Sequence, residues 1–411
     1  MVHCGYIDYR DSGGQTLLRL AASTAPVDST LVSILQGATT PARIKNSSTP
    51  LHQASWDGYA NVIQSLLELG ADIEAQNCDD HTPLHFAAWR GKTAAARKLL
   101  EHGARVDARD MYFRTPLHHA SYHGHPDTIQ VLLAHKADIE AQHCDEHTPL
   151  HFASWQGKVL AARMLLKHRA EIHARDQYYR TPLHHASWHG HSDVVQLLLE
   201  HGADIEAQNR NDNTPLHFAA WQGKLTSVKT LLEHGAKVDV RNAYSWTPLH
   251  RASWREYPDV IHLLLEHGAD IEAQNCDDNT PLHFAAWQGK VASVRKLLEH
   301  GARIDAQNRY SRTPLHHASW NGHPNVIQVL LEHGAGIEVQ TCDGDTPLHL
   351  AAWQGKVEAV QMLLKHRAMT HTWNKRRCTP QHLALDYRHP DIAQLLSKME
   401  HHHRNSIADS E

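Results

Sequence analysis

The sequence predicts an all-α repeat solenoid: stacked helix-turn-helix units joined by β-hairpin-like fingers. Three observations predict it. Thr, Pro, Leu, His recurs every 33 residues, from Thr49-Pro50-Leu51-His52 to Thr346-Pro347-Leu348-His349, ten times without an insertion or deletion. Each period holds two apolar stretches of helical spacing, and each closes in a polar stretch of turn formers. A fixed period of this length marks one supersecondary unit stacked on copies of itself, so the chain is expected to be one uninterrupted stack.

The first helix of each unit opens at the tetrapeptide. Thr supplies an oxygen to cap free backbone N–H groups, and Pro fits the first helical position, where its missing N–H costs nothing. In the unit starting at Thr82 the helix continues Leu84, His85, Phe86, Ala87, Ala88, Trp89 and stops at Gly91, a residue that tolerates the left-handed backbone of a helix end. The small Ala pair lets neighbouring helices approach closely. The second helix follows after a short turn, as in Val194, Val195, Leu197, Leu198 and Leu199, and ends at His201-Gly202-Ala203. Asp204-Ile205-Glu206-Ala207-Gln208-Asn209 then alternates polar and apolar residues and forms the finger to the next unit.

Thr-Pro-Leu-His, the Ala pair or Ala-Ser, the Gly, the double Leu and Gly-Ala together resemble the ankyrin repeat family over nearly the whole chain. Residues 49–378 hold ten good repeats. Degenerate capping units flank them at 16–48, carried by Thr16-Leu17-Leu18-Arg19 and Ala21-Ala22, and at 379–400, carried by Thr379-Pro380-Gln381-His382. An end repeat must turn a polar face to water, and Ser397, Lys398 and Glu400 stand where interior units carry Leu and Gly-Ala. The tails at 1–15 and 401–411 are expected to be disordered.

Some residues depart from the family pattern. The finger Gly two before the Thr survives only as Gly344, and Asp80, Phe113, Glu146, Tyr179, Asp212, Ser245, Asp278 and Ser311 replace it. Lys136, Arg169 and Arg367 replace the second-helix Gly, and Glu256 replaces the first-helix Gly. Where the backbone stays left-handed, each such residue costs roughly 1 kcal/mol.

Composition excludes several function classes. A net charge of −5 with both signs interspersed argues against nucleic-acid binding, which requires a basic face. No apolar run approaches a membrane span, and Met1 to Arg10 has no signal-peptide core. The expected address is therefore cytoplasmic or nuclear, and the expected state monomeric. Cys78, Cys144, Cys276 and Cys342 share one finger position in alternate units. At roughly 8–10 Å per helical layer they stand too far apart for the roughly 7 Å that a disulfide allows, as suits a reducing compartment.

A second period of 66 lies over the first, because alternate units differ. Units of one kind carry Phe or Leu after the tetrapeptide and Lys after the Gly, as in Phe86 and Lys92; of the other kind, the units at Thr115, Thr181 and Thr313 carry His at both places, as in His119 and His125. Three residues before the Thr, Asp79, Asp145, Asn211, Asp277 and Asp343 alternate with Tyr112, Tyr178, Tyr244 and Tyr310. Arg114, Arg180, Trp246 and Arg312 directly precede the Thr beside those tyrosines. The simplest structural expectation is that each Arg pairs with an acid on the next finger, in an exposed ladder worth roughly 0–1 kcal/mol per pair.

Seven residues after the Thr comes an aromatic in every good unit: Trp56, Trp89, Tyr122, Trp155, Trp188, Trp221, Trp254, Trp287, Trp320 and Trp353. The family resemblance places this position near the end of the first helix, facing the concave groove. The bland reading is packing copied along with the repeat. Against it, a line of large aromatic surface is what binding sites show. The candidate partner-binding residues are thus the aromatics from Trp89 to Trp353, with Tyr112, Asp145, Tyr178, Arg180, Tyr244, Asp277 and Tyr310 on the fingers.

Thirty-nine histidines invite a metal, but ligation needs donors that converge on one point, and a row spaced by whole repeats does not converge. His401-His402-His403 offers adjacent donors for weak binding only. Residues that recur ten times are scaffold, so neither catalytic residues nor a cofactor are expected. The expected function is non-catalytic: a scaffold that binds extended or helical segments of partner proteins. The alternative is a substrate adaptor for a ubiquitin ligase or another regulatory complex.

Overall fold

The computed structural model describes residues 48–408. The expected tail at 1–15 and, apart from residue 48, the N-terminal cap lie outside them. Contacts group the chain into two compact units, Met1–Asp204 and Ile205–Glu411, each of which stacks helix pairs in the same way. The first holds α1 (Pro50–Asp57), α2 (Ala60–Glu68), α3 (Pro83–Trp89), α4 (Thr93–Glu101), α5 (Pro116–His123), α6 (Pro126–Ala134), α7 (Pro149–Trp155), α8 (Val159–Lys167), α9 (Pro182–His189) and α10 (Ser192–Glu200). The second holds α11 (Pro215–Trp221), α12 (Leu225–Glu233), α13 (Pro248–Arg255), α14 (Pro258–Glu266), α15 (Pro281–Trp287), α16 (Val291–Glu299), α17 (Pro314–Asn321), α18 (Pro324–Glu332), α19 (Pro347–Trp353), α20 (Val357–Lys365), α21 (Pro380–Asp386) and α22 (Pro390–Ala408). The last helix runs past residue 400, where the sequence reading ends the final unit and begins a disordered tail.

Among the described residues there is no strand, so the architecture is all-α. First helices pack on first helices and second helices on second, as α3 does on α5 and α4 on α6. Leu84, Ala87 and Ala88 of the first layer and Ala95, Ala96 and Leu99 of the second are fully sequestered between neighbours.

The tetrapeptide does more than cap a helix. His250 Nδ1 accepts the backbone N–H of its own Thr247 at 3.1 Å, while Nε2 donates to the carbonyl of Asn279, 29 residues on, at 3.1 Å. The same pair of bonds joins His283 to Thr280 and Arg312, and His316 to Thr313 and Asp345. Each imidazole therefore takes the Glu or Gln place of a capping box and also bolts its unit to the next finger. An Nδ1 that accepts a backbone N–H carries no proton, so the ring must be neutral.

The fingers are hairpin-like without being strands. Asn77 Oδ1 accepts the N–H groups of Asp79 and His81, at 3.0 and 2.8 Å, and Asn77 N–H donates to the His81 carbonyl. The side chain five before each Thr repeats this wrap, as do Asp110, Asn242, Asn275 and Asn308. Successive tips exchange one backbone bond, as from Met111 N–H to the Asp79 carbonyl and from Cys276 N–H to the Tyr244 carbonyl. Cys78, Cys144, Cys276 and Cys342 are exposed and free on these fingers.

The non-glycine residues at family glycine positions do keep left-handed backbone: φ is +62° at Phe113, +65° at Lys136, +66° at Arg169 and +70° at Glu256. A Cβ at the corresponding Gly103 or Gly202 would meet nothing within 4 Å. The strain at Lys136 is therefore one of backbone alone.

Two outcomes follow for stability. Lys136→Gly removes roughly 1–2 kcal/mol of left-handed strain and adds roughly 0.5–1 kcal/mol of unfolded-state entropy, a net gain of roughly 0–1.5 kcal/mol; a lower urea midpoint would count against it. Burial, the largest influence, pushes His250 down to about 3 and His283 and His316 down to about 4, from an ordinary value of 6.5. Between those values the unfolded chain binds more protons than the folded one, so stability is complete above pH 6.5 and falls as the pH drops toward 4. Each such histidine adds a slope of about 1.4 kcal/mol per pH unit, and denaturation midpoints recorded from pH 7 to pH 5 should decline accordingly.

Candidate functional site

The aromatic line sits at the ends of the first helices, and its rings rest on the next repeat. In the first unit Trp56 meets Phe86 and Trp89 at 5.5 and 6.0 Å, and Tyr122 meets Phe152 at 5.8 Å. Trp89 stacks on His119 and His123, at 5.1 and 5.2 Å, and Trp155 on His185 and His189, at 5.6 and 5.5 Å. In the second unit Trp221 lies under the Arg251 guanidinium at 3.8 Å, Trp254 meets Phe284 at 5.6 Å, and Trp287 stacks on His317 at 4.9 Å. Trp320 packs on Trp353, which packs on Tyr387. The rings are nevertheless only partly covered: Trp188 and the others are half-buried, and Trp287 keeps 37% of its surface exposed.

Cations border this line. The Arg90 guanidinium lies 4.9 Å over Trp56, and that of Arg255 lies 5.7 Å from Trp221. His125, His191 and His323 each donate from Nε2 to the carbonyl of Trp89, Trp155 and Trp287, at 2.9 Å. Lys92, Lys158 and Lys356 follow the same course, close enough that a Cβ on Gly58, Gly124 or Gly322 would strike them. Burial, reinforced by His125, Lys158 and Arg90, pushes His123 down to about 4. Basic side chains thus gather along this line although the whole chain carries a net charge of −5. Asp57, Glu256 and Asp386 stand at the ends of these first helices or directly after them, and Glu256 faces Lys290 at 3.8 Å.

The fingertips expose Tyr112, Tyr178, Tyr244 and Tyr310, each about half accessible. Arg114 and Arg180 lie 4.8 Å over Tyr112 and Tyr178. Asp145 accepts from Gln177 Nε2 at 2.8 Å, and Asp277 pairs with Arg309 at 3.2 Å, so both acids are tied to the following finger.

The expected ladder from Arg114 and Arg180 to acids on the next finger is corrected. Each instead turns back on its own finger, Arg114 Nε to Asp110 Oδ2 at 2.8 Å and Arg180 Nε to Asp176 Oδ2 at 2.7 Å. The reason is local: the aspartate five before the Thr already wraps the tip with Oδ1, which aims Oδ2 at the arginine four residues on.

These aspartates also gather residues that sequence reasoning kept apart. His81, from the preceding finger, and His119, from α5, bring Nε2 to 3.3 and 3.0 Å from Asp110 Oδ2. One super-period later, His147 and His185 both lie 3.0 Å from Asp176 Oδ2. All six residues are buried. Burial alone would push Asp110 up, but His119, His81 and Arg114 outweigh it and hold the carboxyl far below the carboxylate range. Burial pushes His119 down to about 4 and His185 to about 3. The signal was present in the sequence as Asp110 and Asp176, acids 66 apart at a finger position where Asn is the rule.

Stacked helix pairs, capped by a repeated imidazole bridge and edged by variable fingers, define a helical repeat protein whose recurring residues are scaffold and whose alternating residues dress its faces. The family model described as ankyrin repeats (3 copies) matches residues 51–143, 117–209, 205–275, 249–341 and 334–406, and the chain belongs to the ankyrin repeat family. Among solved structures it is similar to the human ASB11 ankyrin repeat domain, with 29% identity and a TM-score of 0.50 over 54% of this chain and 99% of that one. No curated protein matches the chain. Among the described residues, no helix is long and apolar enough to cross a membrane.

Proposed function

We propose that this chain is a non-catalytic scaffold that binds an acidic, extended or helical segment of a partner protein along its aromatic line. The observation that carries this reading is the line itself: aromatic faces packed on one side, open on the other, and bordered by Arg90, Lys92, Lys158, Arg255 and Lys356. Ankyrin repeats are protein-interaction modules. Aromatic rings already held by a neighbour lose little freedom on binding, and Trp, Tyr and Arg dominate interface energetics. The exposed Tyr112, Tyr178, Tyr244 and Tyr310, with Arg180, Asp145 and Asp277 between them, would select among partners, because charge patterns reject mismatched ligands more than they add affinity.

The test is affinity capture with the intact chain, followed by titration of the captured segment into variants of confirmed fold. Trp287→Ala is expected to cost about 2 kcal/mol, a roughly thirtyfold weaker Kd. Raising the salt concentration should slow association. Unchanged affinity in a variant with Trp188, Trp221, Trp254 and Trp287 all changed to Ala would leave the aromatic line as packing alone. A ligase subunit captured equally well by that variant would favour the adaptor reading.

A further inference from the structure

The joints between successive fingers are chemically of two kinds. In the second unit Asn308 Nδ2 donates to Asn279 Oδ1 at 2.8 Å, and Asn374 Nδ2 to Asp345 Oδ1 at 2.7 Å. In the first unit the same positions are His81 with Asp110 and His147 with Asp176, each completed by a third residue on the next first helix, His119 or His185. Around Asp110 Oδ2 three nitrogens converge: Arg114 Nε at 2.8 Å, His119 Nε2 at 3.0 Å and His81 Nε2 at 3.3 Å. One carboxylate oxygen has two lone pairs, and the first two donors use them. His81, only 6% exposed, is left with a buried Nε2 that makes no hydrogen bond. An unsatisfied buried group of this kind costs about 1–3 kcal/mol.

We propose that His81 Nε2, His119 Nε2 and Asp110 Oδ2 form a binding site for a zinc-class divalent cation. Two imidazoles and a carboxylate are a borderline donor set that suits such an ion. Bonds of about 2.0–2.2 Å in a tetrahedron place neighbouring donors roughly 3.3–3.5 Å apart, and the two nitrogen-to-oxygen spacings here are 3.3 and 3.0 Å, with all three atoms within 4.8 Å of one another. The cation replaces the crowded protons. Each ring binds in its neutral form, with its hydrogen on Nδ1, and water takes the fourth position. Arg114 is about a quarter exposed and already lies over Tyr112, so it can release Oδ2 to the ion without leaving that ring. Occupancy of the buried site would thereby alter the exposed tip.

The second cluster is closed to a cation by one substitution. His143 replaces Asn77, and its Nδ1 accepts the backbone N–H groups of Asp145 and His147, at 3.2 and 3.0 Å. Its proton therefore sits on Nε2, 3.2 Å from His147 Nδ1. His147 Nδ1 must accept, so its proton stays on Nε2, facing Asp176. Freeing that nitrogen for a metal would set two N–H groups against each other. Of these two clusters among the described residues, only that of His81, Asp110 and His119 is therefore proposed to take the ion, although both are built from the same residue types.

The experiment is titration of Zn²⁺ into the full-length chain, stripped with chelator, beside two double variants: His81→Asn with Asp110→Asn, and His147→Asn with Asp176→Asn. Both copy the Asn279–Asn308 joint that the chain itself uses, so both should fold; His119→Phe, the residue at the equivalent Phe86, serves if the first does not. The tightest equivalent should weaken by roughly a hundredfold or more in the first variant, beyond the loss expected from an outer-shell change, and persist in the second. Co²⁺ bound to the parent should show tetrahedral d–d absorption without a thiolate charge-transfer band, since Cys78 is outside the donor set. Survival of the tightest site in the first variant, its loss in Cys78→Ser, or equal loss in both double variants would each overturn the proposal.

Discussion

One imidazole per repeat holds this molecule to its period. The tetrapeptide histidine takes the amide hydrogen of its own helix cap on one nitrogen and gives a hydrogen to the next finger with the other, as His250 does between Thr247 and Asn279. A neutral imidazole is flat enough to be buried and can accept on one nitrogen while donating from the other. The helix start, the distance to the neighbouring finger and the ring's protonation state are therefore a single constraint. An insertion between Thr and His disrupts the first of these bonds, and one between His and the carbonyl 29 residues on disrupts the second.

Around that constraint the chain varies its polar joints freely. Joints with Asn at both positions satisfy each other by an amide-to-amide bond, while the His–Asp–His joints concentrate one full negative charge among rings and a guanidinium. Both geometries rest on the same backbone, because the residue five before the Thr wraps the fingertip whether it is Asn77, Asp110, His143 or Thr341. What changes is the atom left over after the wrap: an amide nitrogen in Asn308, a second carboxylate oxygen in Asp110, an Nε2 hydrogen in His143. That leftover atom decides what a joint can hold.

The period, the helix pairs and the finger positions were legible because each rests on local chemistry repeated at a fixed distance, such as the Pro at the first turn of each described first helix. The left-handed backbone at Phe113 and Glu256 was legible for the same reason, since the family glycine marks the angle even where it has been replaced. The Arg114 and Arg180 partners were not, because adjacent fingers offer acids at similar distances and only the direction of Asp110 Oδ2 decides between them. The His81, Asp110 and His119 cluster was hidden for a related reason. Its members come from two fingers and a helix, and reading down a single column of the repeat never sets them side by side.

The alternation of joints carries a consequence for how such a chain can change length. A joint needs matched residues from one repeat and the next, and the matching recurs every second repeat: His81 meets Asp110 and His119, whereas Arg114, one repeat along, stands beside Tyr112 and turns back on its own finger. Excising one repeat would preserve every helix and every imidazole bridge yet bring two fingers of the same kind together. Excising two keeps fingers of the two kinds in alternation. The heritable module is the pair, and a gene of this design lengthens or shortens without mismatch only in even steps.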